Sequence, residues 1–424
     1  MGRYVDRYFY ILFIVALVGG VLLSWFDVLG SVDELCLGAL LILFFVRLSQ
    51  TNDWAINKGF LVVFGIFIYY LGYSLYIGSN SIRAILTDLL LQIKPYVAFF
   101  CAYQLRPVFN KKQRVLLKQF CLVCWVILIP FSVMGLMDEM YLGRAAGHPA
   151  ILGASATAIA LVYLYTREDY SRRSLLVFIG LLALGIGSTR SKFYGFFIFA
   201  SFLAFFLQDT SRFRLSIKNI LLLLTVGAVM AVAAREKIFI YFIQGASEEV
   251  EKENIARFAL YATSGEIFRD YMPFGSGLAS FATYASGEYY SPIYAKYGID
   301  GVWGLTKSEH AFITDTYYPS LAQFGLVGVG LFLSFWAYLF RKAFLYARSS
   351  KDCRPLLIAT SIIGYFAVEN VAEATLTSSR GFFFMMLLGL VFAKMASTTE
   401  TALRLPKSEN VVEENKVKNE VTLP

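Results

Sequence analysis

Four stretches of this chain, 59–82, 119–137, 145–166 and 316–340, run for nineteen residues or more without a charged side chain. As helices, each is long enough to cross a hydrocarbon core of about 30 Å. Inside such a core every backbone N–H and C=O must find its partner within the protein, which leaves helices and closed barrels as the only spanning forms. Alternating segments of roughly ten residues, the mark of transmembrane strands, do not occur. A composition of 58% hydrophobic and 17% aromatic residues, with a mean hydropathy of +0.60, belongs to an integral membrane protein and not to a soluble domain.

The pattern predicts an all-α polytopic fold of about twelve transmembrane helices. The expected spans are 8–26, 34–48, 59–79, 84–105, 116–137, 149–166, 174–189, 192–208, 218–235, 318–340, 355–371 and 380–396. This divides the chain into membrane helices at 1–234, one large, partly helical loop at 235–317, further membrane helices at 318–397 and a polar tail at 398–424. The tail is mixed in charge and reads as disordered. The second, eleventh and twelfth spans have short charge-free cores and need flanking charges to snorkel. The fourth contains Asp88 and Lys94, which must pair, snorkel or face a wet cavity.

Lysine and arginine give the orientation. With the N-terminus inside, the outer connections hold Arg83, Arg144, Arg190, Lys192 and Arg380, against 20 Lys and Arg at the inner span ends. The bias puts both termini in the cytoplasm and the large loop outside. The net charge of +8 is then a topology signal, and it requires no nucleic-acid partner. Five cysteines fall in or beside spans, so no disulfide framework is indicated, and the Cys121/Cys124 pair on an apolar helix reads as packing. A twelve-helix transporter usually joins two halves after its sixth span; here that connection, 167–173, is short, and no internal repeat is visible.

In the large loop, Ile255, Phe258, Ala259, Ala262, Ile267 and Phe268 recur near helical spacing and predict an amphipathic helix on the outer membrane surface, ending near Pro273. Arg257 and Tyr261 share one face of it; periodicity alone reads Arg257 as a solvated charge. The loop is rich in tyrosine, and Tyr317 and Tyr318 close it, which suits an interfacial belt or stacking on sugar. Arg144, Arg190 and Lys192 are cations on the wrong side for topology. They can neutralise a pyrophosphate at the membrane surface or snorkel to headgroups.

The order "GRAAGHPAILGA", "STRSKFYGFF", "ARFALYATSGEIFRDYMPFGSGLASF" and "TDTYYPSLAQFGLVGVGLF", from about Arg144 to Leu333, resembles the O-antigen ligase and O-antigen polymerase superfamily. The resemblance implies a GT-C-like membrane glycosyltransferase of the bacterial inner membrane whose site faces the periplasm. It implies a polyprenyl-diphosphate-linked glycan as donor, a lipid-linked repeat unit as acceptor, and no cofactor or metal. A chain-length regulator and a flippase are the partners it implies. Arg257 looks like the arginine that opens the family's loop motif, and Arg190 like that of the motif between two closely joined spans. Both are thereby diphosphate ligands, with Lys192, Arg144, Arg269 and Arg380 as further cations and Tyr261, Tyr317 and Tyr318 along the glycan.

The ligase pattern has a His eleven residues before a Gly. Counting back from Gly325 lands on Thr314, followed by Asp315, and "DTYY" looks like the polymerase form. A polymerase is therefore favoured over a ligase that transfers to a lipid A core or a protein; a transporter is the second alternative. His310 lies one turn before Thr314 if the segment is helical, and its ordinary pKa suits proton transfer. It also suits an interfacial histidine. Asp315 suits either the acceptor hydroxyl or the start of a helix. His148 reads as a turn residue before Pro149, without a catalytic role. Glu369 and Glu373 face an outer cavity with Arg380 or form a structural ion pair there.

Overall fold

The computed structural model describes residues 2–26, 30–50, 57–208 and 252–404. The expected ninth span, 218–235, the start of the large loop and the tail beyond residue 404 lie outside the described residues. Among the described residues every regular element is helical. We number them α1 (Gly2–Leu17), α2 (Val32–Gln50), α3 (Lys58–Ile77), α4 (Ile82–Leu105), α5 (Lys111–Met137), α6 (Glu139–Ala146), α7 (Ala150–Thr166), α8 (Arg172–Ala183) and α9 (Ser191–Phe206). Then follow α10 (Lys252–Asp270), α11 (Tyr284–Glu288), α12 (Ile293–Lys296), α13 (Gly325–Ser350), α14 (Arg354–Glu369) and α15 (Ser379–Arg404).

Six helices are long and apolar enough to cross a membrane, or seven if α6 and α7, bent by 72° at Gly147–Pro149, count as one span. The remaining expected spans fall short for identifiable reasons. Helix α2 brings Asp33, Glu34 and Arg47 into its 19 residues. Helix α8 has only 12 residues before Leu184–Ser188 tightens into a 3₁₀ turn, so the expected helix at 174–189 is not one continuous α-helix. Helices α9 and α14, at 16 residues each, reach about 24 Å, less than a hydrocarbon core. Helix α15 runs past Thr398 into the segment expected to be disordered, where Glu400 meets Arg106 at 2.7 Å.

Helices α4 and α15 form the centre and are mostly buried, whereas α3, α5 and α13 turn most of their side chains outward. Gly389 makes the central crossing possible, because a Cβ there would collide with the Phe99 carbonyl. Helix α7, with five Ala beside Gly153 and Ser155, is buried at every residue except Tyr165, as small side chains let neighbouring backbones approach. All five thiols are buried and unbridged. The start of α4 is capped by Ser81, and that of α5 by a reciprocal Asn110/Gln113 box.

Residues 252–324 form a cap with a core of its own, built on Ala256, Leu260, Ile267, Phe281, Tyr294 and Ile313. The buried stripe of α10 is Ala256, Leu260, Thr263 and Ile267, and Ala262 is exposed. The apolar face expected to lie in the membrane surface is thus rotated, and it packs against the cap instead. The cap is fastened to the bundle by its buried segment 275–283. Leu278 N–H donates to Ser74 Oγ at 2.8 Å, Ala279 N–H to Asp88 at 2.7 Å, and Ser79 Oγ donates to the Leu278 carbonyl at 2.7 Å. Gly275 and Gly325, both in the left-handed region, touch backbone to backbone where this segment crosses the entrance of α13.

Gly389→Val is expected to lower stability by about 1–3 kcal/mol through overpacking at the α4/α15 crossing. Denaturation of the purified protein in detergent checks this, and unchanged stability would contradict the close crossing.

Candidate active site

A cavity of about 750 Å³ opens where the cap meets the bundle. Glu34 of α2 and Asp88 and Gln92 of α4 line it, as do Tyr284 of α11, Thr314, Asp315 and Tyr317 of the cap, His148 before α7, Glu373, and Arg380 at the start of α15.

Arg257 of α10 and Asp315 meet as an ion pair although 58 positions separate them. Asp315 follows the 3₁₀ turn Ala311–Thr314, and Arg257 lies on the first half of α10, so the cap's own folding brings them together. Burial raises the Asp315 carboxyl above the ordinary aspartate value, and the Arg257 charge opposes that shift. The result is a carboxylate that takes a proton more readily than a solvated one.

A second cluster adjoins this pair. Lys192 reaches Glu369 at 2.6 Å and Glu373 at 3.5 Å, Arg380 reaches Glu373 at 2.9 Å, and His148 Nδ1 stands 3.4 Å from Glu373. Arg190 pairs with Glu139 at 2.7 Å, while its Nε is buried without a hydrogen-bond partner. Burial works against the Glu373 carboxylate, but Arg380, Lys192 and His148 outweigh it and hold its carboxyl well below the usual range. Arg190, Lys192, Arg257 and Arg380 are thus held by carboxylates, with arginine Nη and Nε groups that can turn to phosphate oxygens.

The residues singled out in the sequence divide into two groups. Asp315, Tyr317 and Arg380 line the cavity, and Arg257 and Lys192 stand directly behind its carboxylates. The others lie elsewhere. Arg144 is exposed on α6 beside Met140, and Arg269 is exposed beside Asp270. The Tyr261 hydroxyl donates to the Val371 carbonyl at 2.8 Å and that of Tyr318 to Ala367 at 2.9 Å, fastening the cap to the end of α14. His310 precedes the 3₁₀ turn instead of continuing a helix, and its ring packs against Gly287 with Nδ1 buried and unpartnered. Of the loop tyrosines, Tyr290, Tyr294 and Tyr297 bond within the cap.

His148, Glu34 and Gln92 line the cavity without having been assigned a site role from sequence, whereas Glu373 both faces the cavity with Arg380 and pairs with it, and Tyr284 is the loop tyrosine that lines it. The available signals were the rarity of histidine and the presence of carboxylates in or beside apolar spans. Among the described residues no group of three or more His, Cys, Asp or Glu side chains is arranged to hold a metal ion. The chain matches no protein-family model and no curated protein.

Removing the Glu373 charge strands Arg380, while Lys192 keeps Glu369, so Glu373→Gln is expected to cost about 3–5 kcal/mol in denaturation measurements. Because the folded value of Glu373 lies below its unfolded 4.5, its contribution is present above that pH and is lost as pH falls through the lower folded value. The thermal midpoint of the wild type should therefore fall more steeply below pH 4.5 than that of Glu373→Gln.

Proposed function

We propose that this protein is a membrane glycosyltransferase that polymerises glycan repeat units, taking the growing chain from polyprenyl diphosphate and adding it to a lipid-linked repeat unit. The observation that carries the reading is the Arg257–Asp315 pair at the wall of the cavity, with Lys192, Arg190 and Arg380 gathered beside it. These are the residue types that this chemistry needs, and the resemblance assigns it to the same positions. The proposed setting is the outer face of a bacterial inner membrane, with the cap facing the periplasm. A chain-length regulator and a flippase would be its partners.

In the proposed reaction an acceptor sugar hydroxyl attacks the anomeric carbon of the donor. The new C–O bond forms as the bond to the diphosphate oxygen breaks, and that electron pair leaves with the polyprenyl diphosphate. Asp315 takes the hydroxyl proton, a role that its raised proton affinity favours. Arg257, released from Asp315 as that carboxylate protonates, turns its charge to the departing diphosphate, with Arg190, Lys192 and Arg380 as reserve cations. A single displacement inverts the anomeric configuration. The exposed Tyr284 offers a ring face along the sugar, whereas the Tyr317 ring is buried against Phe332.

The test is the purified protein in nanodiscs with a polyprenyl-diphosphate oligosaccharide, read by gel electrophoresis of the products. A ladder is expected. Arg257→Ala should lower kcat/KM by about 10²–10³ and Asp315→Asn by about 10²–10⁴. The acidic limb of the pH profile should titrate above the ordinary aspartate value and vanish in Asp315→Asn. Transfer only when a lipid A core is added would identify a ligase, and solute uptake without any new glycosidic bond a transporter.

A further inference from the structure

The wall of the cavity formed by α2 and α4 has no role in the reaction just described, yet it concentrates ionisable groups inside the bundle. Such groups are costly within a membrane and persist where they serve a pathway or a ligand. The Lys94 ammonium is buried between Asp33 and Glu34, 3.5 Å from the latter. Three charges make this triad, and one negative charge is left over. Asp33 is 2% exposed, and its Oδ1 has no hydrogen-bond partner. The Glu34 side chain, by contrast, is half exposed and lines the cavity, so the surplus negative charge is presented there.

Asp88 adds a second carboxylate to the same wall. Its Oδ2 accepts from Ala279 N–H, and Gln92 approaches Oδ1 at 3.5 Å, which fixes its orientation. Ser24, Thr87 and Gln92 supply neutral hydrogen-bonding groups beside the two acids. Arg380, the cation among the described lining residues, is engaged by Glu373. Carboxylates flanked by hydroxyl and amide groups accept hydrogen bonds from sugar hydroxyls or an ammonium and repel a second carboxylate.

We propose that this wall is a sugar subsite that takes a hydroxyl-rich, non-acidic sugar residue and rejects an acidic one, with Glu34 as the residue that sets the discrimination. The proposal rests on the glycan reading above and narrows its substrate class. It assigns Glu34 to substrate selection, separate from Arg257 and Asp315, which serve the transfer itself.

The experiment measures binding of methyl glucoside, methyl glucosaminide and methyl glucuronide to the full-length protein in nanodiscs at pH 7, by saturation-transfer NMR titration. The glucuronide is expected to bind about tenfold or more weakly than the other two. Glu34→Gln should close that gap while leaving glucoside binding in place, and because Glu34 is half exposed its replacement leaves the core packing intact. Equal binding of all three, or discrimination that survives Glu34→Gln, would overturn the subsite and leave the glycan reading standing. Binding of none of them would overturn both.

Discussion

Charge brought to the end of an apolar bundle has to be neutralised on the spot, and that constraint organises the whole cap side of this protein. Desolvation of an ion in a low-dielectric site costs several kcal/mol, and attraction to a partner repays it only with close geometry. Arg257 therefore lies against Asp315, Lys192 against Glu369 and Glu373, Arg380 against Glu373, and Arg190 against Glu139. These partners come from α6, α9, α10, α14, α15 and the loops between them. The Arg257–Asp315 pair is matched within the cap and the other pairs within the bundle, so hydrogen bonds such as those from Leu278 N–H to Ser74 and from Ala279 N–H to Asp88 tie the cap to the helices, and the cavity lies between two surfaces whose charges are each paired.

The same constraint accounts for α4. Asp88 and Lys94 in an otherwise apolar helix demanded partners, and both have them: Lys94 in the acids that open α2, Asp88 in the backbone of the segment that fastens the cap. A carboxylate accepting a backbone N–H from a loop threaded over the bundle fixes that loop's position. The tyrosines Tyr70, Tyr73, Tyr261 and Tyr318 do similar work, since each hydroxyl reaches a backbone carbonyl on another element.

What could be read from the sequence follows from the range of the forces involved. Apolar runs and the need of Asp88 and Lys94 for partners are local properties, and the helices α3, α4, α5 and α15 appear near their expected positions. Span number was less legible, because α2, α9 and α14 carry apolar patterns that length or charge keeps short of a crossing. The rotated face of α10 had the same origin: Ala262 and Leu260 are both apolar, and only tertiary packing decides which turns inward. At the site, residue type and motif order selected Arg257, Asp315, Lys192 and Arg380, which the fold gathers. They could not show that Arg144 and Arg269 point away or that the Glu34 side chain faces the cavity, because those facts depend on contacts between elements distant in the chain.

The chemistry proposed for the cavity makes one stoichiometric demand. Each new glycosidic bond must release one polyprenyl diphosphate, since the electron pair of the broken bond leaves with it. The most direct measurement follows both products together in nanodiscs containing only this protein and a polyprenyl-diphosphate oligosaccharide labelled on the lipid and on the sugar. The account predicts that free polyprenyl diphosphate and newly formed glycosidic bonds appear in equal amounts and that both stop when Arg257 is replaced by alanine. Lipid diphosphate released without any lengthening of the glycan, or lengthening without its release, would contradict it.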